Sequence, residues 1–177
     1  MLARFFRPPP RRDAAYRLYG RAVEAARCPV HYAELDVPDT LDGRFELIAL
    51  HVALVLRRLS AEPEAKLFAQ EVFDAMFADM DRALREMGTG DLGVGAHVKR
   101  MASAFYGRAR AYERGLSGAE DLGAALRRNL YGTTAPTEAA LGAMAAWVEA
   151  AAAALAAQSV DALMAGEVAF PTPAPRA

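Results

Sequence analysis

Cysteine is almost missing from this sequence: Cys28 is the single example among 177 residues. One thiol excludes an internal disulfide framework and a cysteine-based zinc cluster, and it fits a reducing compartment. Lysine is scarce too, with only Lys66 and Lys99 among 21 basic residues. The three histidines, at 31, 51 and 97, have no second His at helical spacing and form no ligand cluster, so no metal site is expected. Aromatic residues make up 8% of the chain, and no segment alternates polar and apolar over a strand's length. A surplus of charge is also lacking. Against 21 basic residues stand 22 acidic ones, a net charge of −1, which excludes a generic polyanion binder and gives no reason to expect DNA as a partner.

What is present favours helices. Apolar residues form 54% of the chain, enough for a buried core, and Ala, Leu, Arg, Glu and Met dominate. The expected fold is an all-α single-domain bundle of about six helices plus a short C-terminal helix, with flexible tails. A basic, proline-rich arm occupies 1–12, the helical domain 13–166, and a proline-rich tail 167–177. The arm holds Phe5 and Phe6, but its apolar stretch is broken by Arg4 and Arg7 and stops at three prolines, so it forms no signal-peptide core.

Asp13 is expected to cap a first helix to about 27, with 28–43 a connecting loop. Apolar residues on nearly every side of 45–59 mark a central helix. The span 63–87 carries Met76, Met80 and Met87 on its apolar stripe, with Asp79/Arg82 and Asp81/Arg85 spaced to pair. Further helices are expected at 94–114, 119–130 and 136–158, then a short one from Ser159 to Gly166. The stretch 139–157 is long enough to span a membrane, with Glu149 its only charge. It is mostly Ala, however, and a central acid costs about 2.5–3.5 kcal/mol in lipid, so a packed soluble helix is the better reading.

Gly88, Gly90 and Gly93 match G-x-G-x-x-G, yet they follow a helix, not a strand, and Asp91 would point a carboxylate at any phosphate. Gly88, Gly90, Asp91, Gly93 and Gly95 are therefore read as a structural corner. Gly88 ends one helix, and Gly93 and Gly95 permit the reversal into the next. No cofactor is expected.

Around this corner the chain resembles the ubiquinol–cytochrome c chaperone family, in its bacterial branch. The resemblance is carried by Phe77-Ala-Asp-Met-Asp-Arg-Ala-Leu-Arg-Glu-Met-Gly88, Gly90-Asp-Leu-Gly-Val-Gly95, Val98-Lys-Arg-Met101, Phe105-Tyr-Gly-Arg108, Ala111-Tyr112 and Leu126-Arg-Arg-Asn-Leu-Tyr-Gly132. Tyr19 and His51 also fall where that family has an aromatic and a histidine, and Ala96 departs from its pattern. The resemblance implies a non-enzymatic assembly factor for the cytochrome bc1 complex (respiratory complex III). Its partners would be newly made cytochrome b or unassembled bc1 subunits, met in the cytoplasm or at the inner face of the cytoplasmic membrane.

The residues suggest how such a protein could grip a client. Lys99, Arg100, Arg108, Arg110, Arg114, Arg127 and Arg128 form a potential basic stripe, for an anionic membrane surface, a ribosome or an acidic client loop. The candidate partner-binding residues are Lys99, Arg100, Tyr106, Arg108, Tyr112, Arg127, Arg128 and Asn129. One of the two arginines at 127 and 128 is also expected to clamp Asp79 or Asp81. The methionines, Met101 included, are read as core packing that could also line a groove for a hydrophobic helix. Two rival readings remain. One is a ribosome- or membrane-contacting adaptor; the other is a small-molecule binder using the 88–100 corner.

Overall fold

Eight helices organise residues 10–86, 91–132 and 134–174, the part of the chain described by the computed structural model. They are α1 (Pro10–Ala26), α2 (Pro29–Ala33), α3 (Leu41–Ser60), α4 (Lys66–Glu86), α5 (Asp91–Leu116), α6 (Leu122–Leu126), α7 (Glu138–Ala156) and α8 (Val160–Met164). No strand occurs among the described residues. The bundle is all-α, as composition and periodicity predict.

α3 is the hub. Leu47, Leu50, Val52, Leu54, Val55 and Leu59 are all buried, and the helix packs against α1, α4, α5 and α7. Apolar residues on every side of a helix leave it no solvent face, so a central position is the only stable one. α1 and α4 lie side by side in the same direction. Arg11 reaches Glu71 and Tyr19 reaches Asp79, both across 60 residues.

Several boundaries differ from the sequence expectation, each for a local reason. α1 already starts at Pro10, so Asp13 sits in its first turn and is not its cap. The expected loop at 28–43 contains α2, opened by Pro29 at the first helical position. α3 begins at Leu41, because Thr40 Oγ1 accepts the Gly43 N–H at 3.1 Å. α4 is preceded by a 3₁₀ turn, Pro63–Ala65. The helix expected at 119–130 is two pieces. Asp121 caps α6, and the chain then widens into a π-helical turn, Arg127–Tyr131, which ends at Gly132 with φ +60°. α7 is capped by Thr137, one residue after Pro136.

The glycine corner also changes. α5 starts at Asp91, so Gly93 and Gly95 belong to helical backbone and do not make the reversal. Gly88 and Gly90 lie outside the described residues, as do 1–9 of the basic arm.

Among the described residues, α7 is the helix long and apolar enough by composition to cross a membrane. Here Leu141, Met144, Trp147, Val148 and Leu155 enter the protein core, while Glu149 and several alanines face outward. The expectation of a flexible C-terminal tail is corrected for 167–174. Gln158 brackets Ala169 with two hydrogen bonds of 2.8 Å, and the Trp147 indole N–H donates to the Pro171 carbonyl at 2.9 Å. Phe170 then closes over His51, with ring centres 4.9 Å apart.

Beneath this strap lie two buried imidazoles, His31 and His51, both against Trp147 at 4.8 and 4.9 Å. His51 Nδ1 meets the Leu47 carbonyl at 2.8 Å, but its Nε2 and both ring nitrogens of His31 complete no hydrogen bond. Burial pushes His31 down to about 4, an effect the nearby Cys28 carbonyl does not offset. Burial likewise pushes His51 down to about 3, with His31 adding to the effect.

Candidate binding groove

Between α1, α2, α3, α4 and Met101 of α5 the bundle leaves an open apolar groove of about 990 Å³. Its apolar lining combines rings and thioethers: Tyr19, Tyr32, Phe45, Met76, Met80 and Met101. Met76 and Met80 are almost wholly buried, whereas Leu41 at the mouth is 66% exposed. The geometry follows from helix spacing. Leu41, Phe45 and Ile48 stand three and four residues apart on α3, and Met76, Met80 and Ala83 do the same on α4. Two apolar ridges thus face the groove, and Tyr19 of α1, Tyr32 of α2 and Met101 of α5 complete its apolar lining.

The rim is polar and held in place. Tyr19 donates its hydroxyl to Asp79 Oδ2 at 2.8 Å, and Arg82 also pairs with Asp79. Burial first, then this bond, raises the Tyr19 hydroxyl well above its usual range, so it stays a donor. Arg44 holds Asp39 at 2.6 Å, which keeps that carboxyl below the ordinary carboxylate value. Flexible thioethers can re-pack around different shapes, and such a surface suits an apolar helix better than a small molecule needing fixed polar contacts.

The eight residues singled out from sequence are scattered, and none lines this groove. Lys99 and Arg100 are exposed near the start of α5. Tyr106 is 56% exposed and stacks on Phe73 at 5.1 Å. Arg108 and Tyr112 come together inside the bundle. Arg108 pairs with Glu46 of α3, a residue the sequence reading missed. Tyr112 is buried beside them with its hydroxyl unpartnered, so it faces no outside partner. Burial, then the nearby Glu46 charge, pushes the Tyr112 hydroxyl far up.

Arg127 pairs with Glu138 at 2.8 Å and Arg128 lies 3.9 Å from Glu120, so neither clamps Asp79 or Asp81. Those acids instead pair with Arg82 and Arg85, as their spacing predicts. Asn129 donates to the Ala125 carbonyl at 2.9 Å. Arg114 is also paired, with Glu120 at 2.9 Å, so four of the seven stripe cations have an acid beside them, Arg114 and Arg128 sharing Glu120. Within the 126–132 motif, Tyr131 does the structural work, donating to the Leu35 carbonyl at 2.7 Å. The described residues contain no group of three or more metal-ligating side chains.

Residues 33–170 match the family described as Ubiquinol-cytochrome C chaperone, most of the chain and every helix from α3 onward. The chain belongs to that family. The crystal structure of the Cbp3 homologue from Brucella abortus has the same fold, with a TM-score of 0.80 and 37% identity. The match covers 92% of this chain and 91% of that one. Ubiquinol–cytochrome-c reductase complex assembly factor 1 of Xenopus laevis is 30% identical over 119 residues, 66% of this chain and 60% of that protein. The mouse protein of the same name is 28% identical over 120 residues, 67% of this chain and 41% of its own. The chain therefore spans less than two thirds of the length of these vertebrate relatives.

Proposed function

We propose that this ubiquinol–cytochrome c chaperone family member is an assembly factor for the cytochrome bc1 complex. On this reading it acts by binding alone, at the inner face of the cytoplasmic membrane. Its client is an apolar transmembrane segment of an unassembled subunit, cytochrome b being the subunit the family points to. The observation that carries the reading is the methionine- and aromatic-lined groove between α3 and α4, which leaves Leu41 bare at its mouth. A newly made membrane helix exposes a ridge of apolar side chains that water penalises at about 25 cal/mol per Å². A deformable apolar trough offers such a ridge temporary cover without a fixed sequence requirement.

The ion pairs along the arginine stripe argue against a polyanion-binding role, because each pair removes a cation that a phosphate would otherwise recruit. The test is deletion of the coding gene followed by redox difference spectra of the membranes. Loss of the b- and c1-type haem signals, with other oxidases intact, is the expected outcome. Unchanged bc1 levels would overturn the assignment.

A further inference from the structure

A separate groove, sharing no lining residue with the first, lies nearer the start of α4, between the end of α3 and the middle of α5. It holds about 1150 Å³ and has an aromatic floor. Phe73 packs against buried Phe105, and Tyr106 lies stacked on Phe73 with more than half its surface open to solvent. A tyrosine held flat by a ring beneath it loses little freedom on contact, which makes it a ready anchor.

The rim has one sign of charge in surplus. Five cations line the groove against two acids, Glu62 and Glu113. Those acids are already engaged, by Arg58 at 3.1 Å and by Arg57. Among the described residues, exposed Lys66 and Arg110 form no ion pair, although both line the groove, on α4 and α5, the helices that carry Phe73 and Tyr106.

We infer that this groove docks an amphipathic helix of a partner protein, with an apolar ridge on the Phe73–Tyr106 floor and flanking Asp or Glu side chains against Lys66 and Arg110. The chain's own termini do not suit the site. Residues 1–12 carry Arg4, Arg7, Arg11 and Arg12 and no acid, and the C-terminal strap is engaged at Trp147 as far as Pro171. Acids are rare within membrane-spanning helices, so a transmembrane client helix matches this rim poorly. The lining is contributed mainly by three helices, α3, α4 and α5, which favours a rod-shaped occupant laid along them over a flat membrane.

The inference does not depend on the methionine groove, and its test uses the whole chain. A fluorescein-labelled helical peptide carries Leu and Phe at i, i+4 and i+7 with Glu on both flanks. A second peptide keeps the apolar ridge and replaces Glu by Lys. The acidic peptide is expected to bind, and to bind more weakly as salt is added. Tyr106→Ala, Lys66→Glu and Arg110→Glu should each weaken it by about ten-fold or more. Arg21→Glu, on the outer surface of α1, should leave binding unchanged and so exclude a bulk-charge effect. All four side chains are exposed, so circular dichroism should report an intact fold. Equal binding of the Lys peptide, no binding of the acidic one, or affinity indifferent to Tyr106 would overturn the inference. Binding of phosphatidylglycerol vesicles through Lys66 and Arg110, with the acidic peptide ignored, would overturn it in favour of a membrane surface.

Discussion

His31 and His51 are kept neutral by burial, and that state carries a pH dependence whose sign is fixed. Their protonation falls from the ordinary 6.5 to about 4 and about 3 in the folded chain. Between those values the unfolded chain binds protons that the folded one does not. Stability is therefore full above about pH 6.5 and is lost as pH falls toward the folded values, by up to about 1.4 kcal/mol per pH unit for each ring. Trp147 is the only tryptophan and touches both rings, so urea unfolding followed by its fluorescence reads the effect directly. The urea midpoint should drop between about pH 7 and about pH 5. His51→Leu should weaken that dependence and leave the share due to His31, and a midpoint indifferent to pH in the unaltered chain would contradict the assignment. Gly43 makes a sharper residue-scale case. A Cβ built there would meet the Pro38 carbonyl oxygen at 2.1 Å, and backbone yields little. Gly43→Ala should cost about 1–3 kcal/mol and lower the melting temperature, whereas Gly107→Ala, with open space around it, should not. Sequence marks His51 as buried through its helix, but no spacing rule reveals that Pro38 folds back onto Gly43.

At the scale of elements, α3 and α5 are joined by the Glu46–Arg108 pair, whose side chains are only 13% and 23% exposed. Burial raises the Glu46 carboxyl above its usual value even though Arg108 pulls the other way, so the pair is a specific link that gains little net stability. Removing one member leaves the other charge stranded. Arg108→Leu should destabilise by about 2 kcal/mol, less than for a fully dry pair, and Glu46→Leu added to it should recover much of the loss. Urea melts of the two single variants and the double variant check this, and strictly additive losses would show that the pair is not coupled. The helices themselves were legible because long apolar periods survive any context: α3, α4, α5 and α7 all fall where the pattern puts them. The shorter features were not. α2 has five residues, too few for a period to show. The π turn at Arg127–Tyr131 rotates Tyr131 inward toward Leu35 by a backbone change that side-chain spacing does not encode. The tail was misread because its prolines suggest an open strand, while its anchors, Gln158 and Trp147, lie on other segments.

For the whole molecule, the question is whether folding and client binding can be separated, since the methionine groove is built from five helices that also make the core. The methionines were visible in the sequence as a stripe, but a stripe does not say which part of it remains uncovered. Only the packing of α1 and α3 against α4 decides that Met80 and the more deeply buried Met76 border the groove while Phe68 and Val72 do not. Leu41 offers the separation. It is the first residue of α3, is 66% exposed, and its side chain borders the groove. An acid at the first turn of a helix interacts favourably with the positive helix end, by about 0.3–1 kcal/mol, so Leu41→Glu should leave the melting temperature level or slightly higher. The same change places a charge where an apolar client ridge would have to be desolvated against it, which is unfavourable without a partner. A strain carrying Leu41→Glu in place of the natural residue should then show normal amounts of the folded protein but a reduced bc1 haem signal in its membranes. Leu41→Met, which keeps the apolar mouth, should restore the signal. If Leu41→Glu supports bc1 levels equal to those of the unaltered chain, the groove is not where the client is held, even if the family role stands.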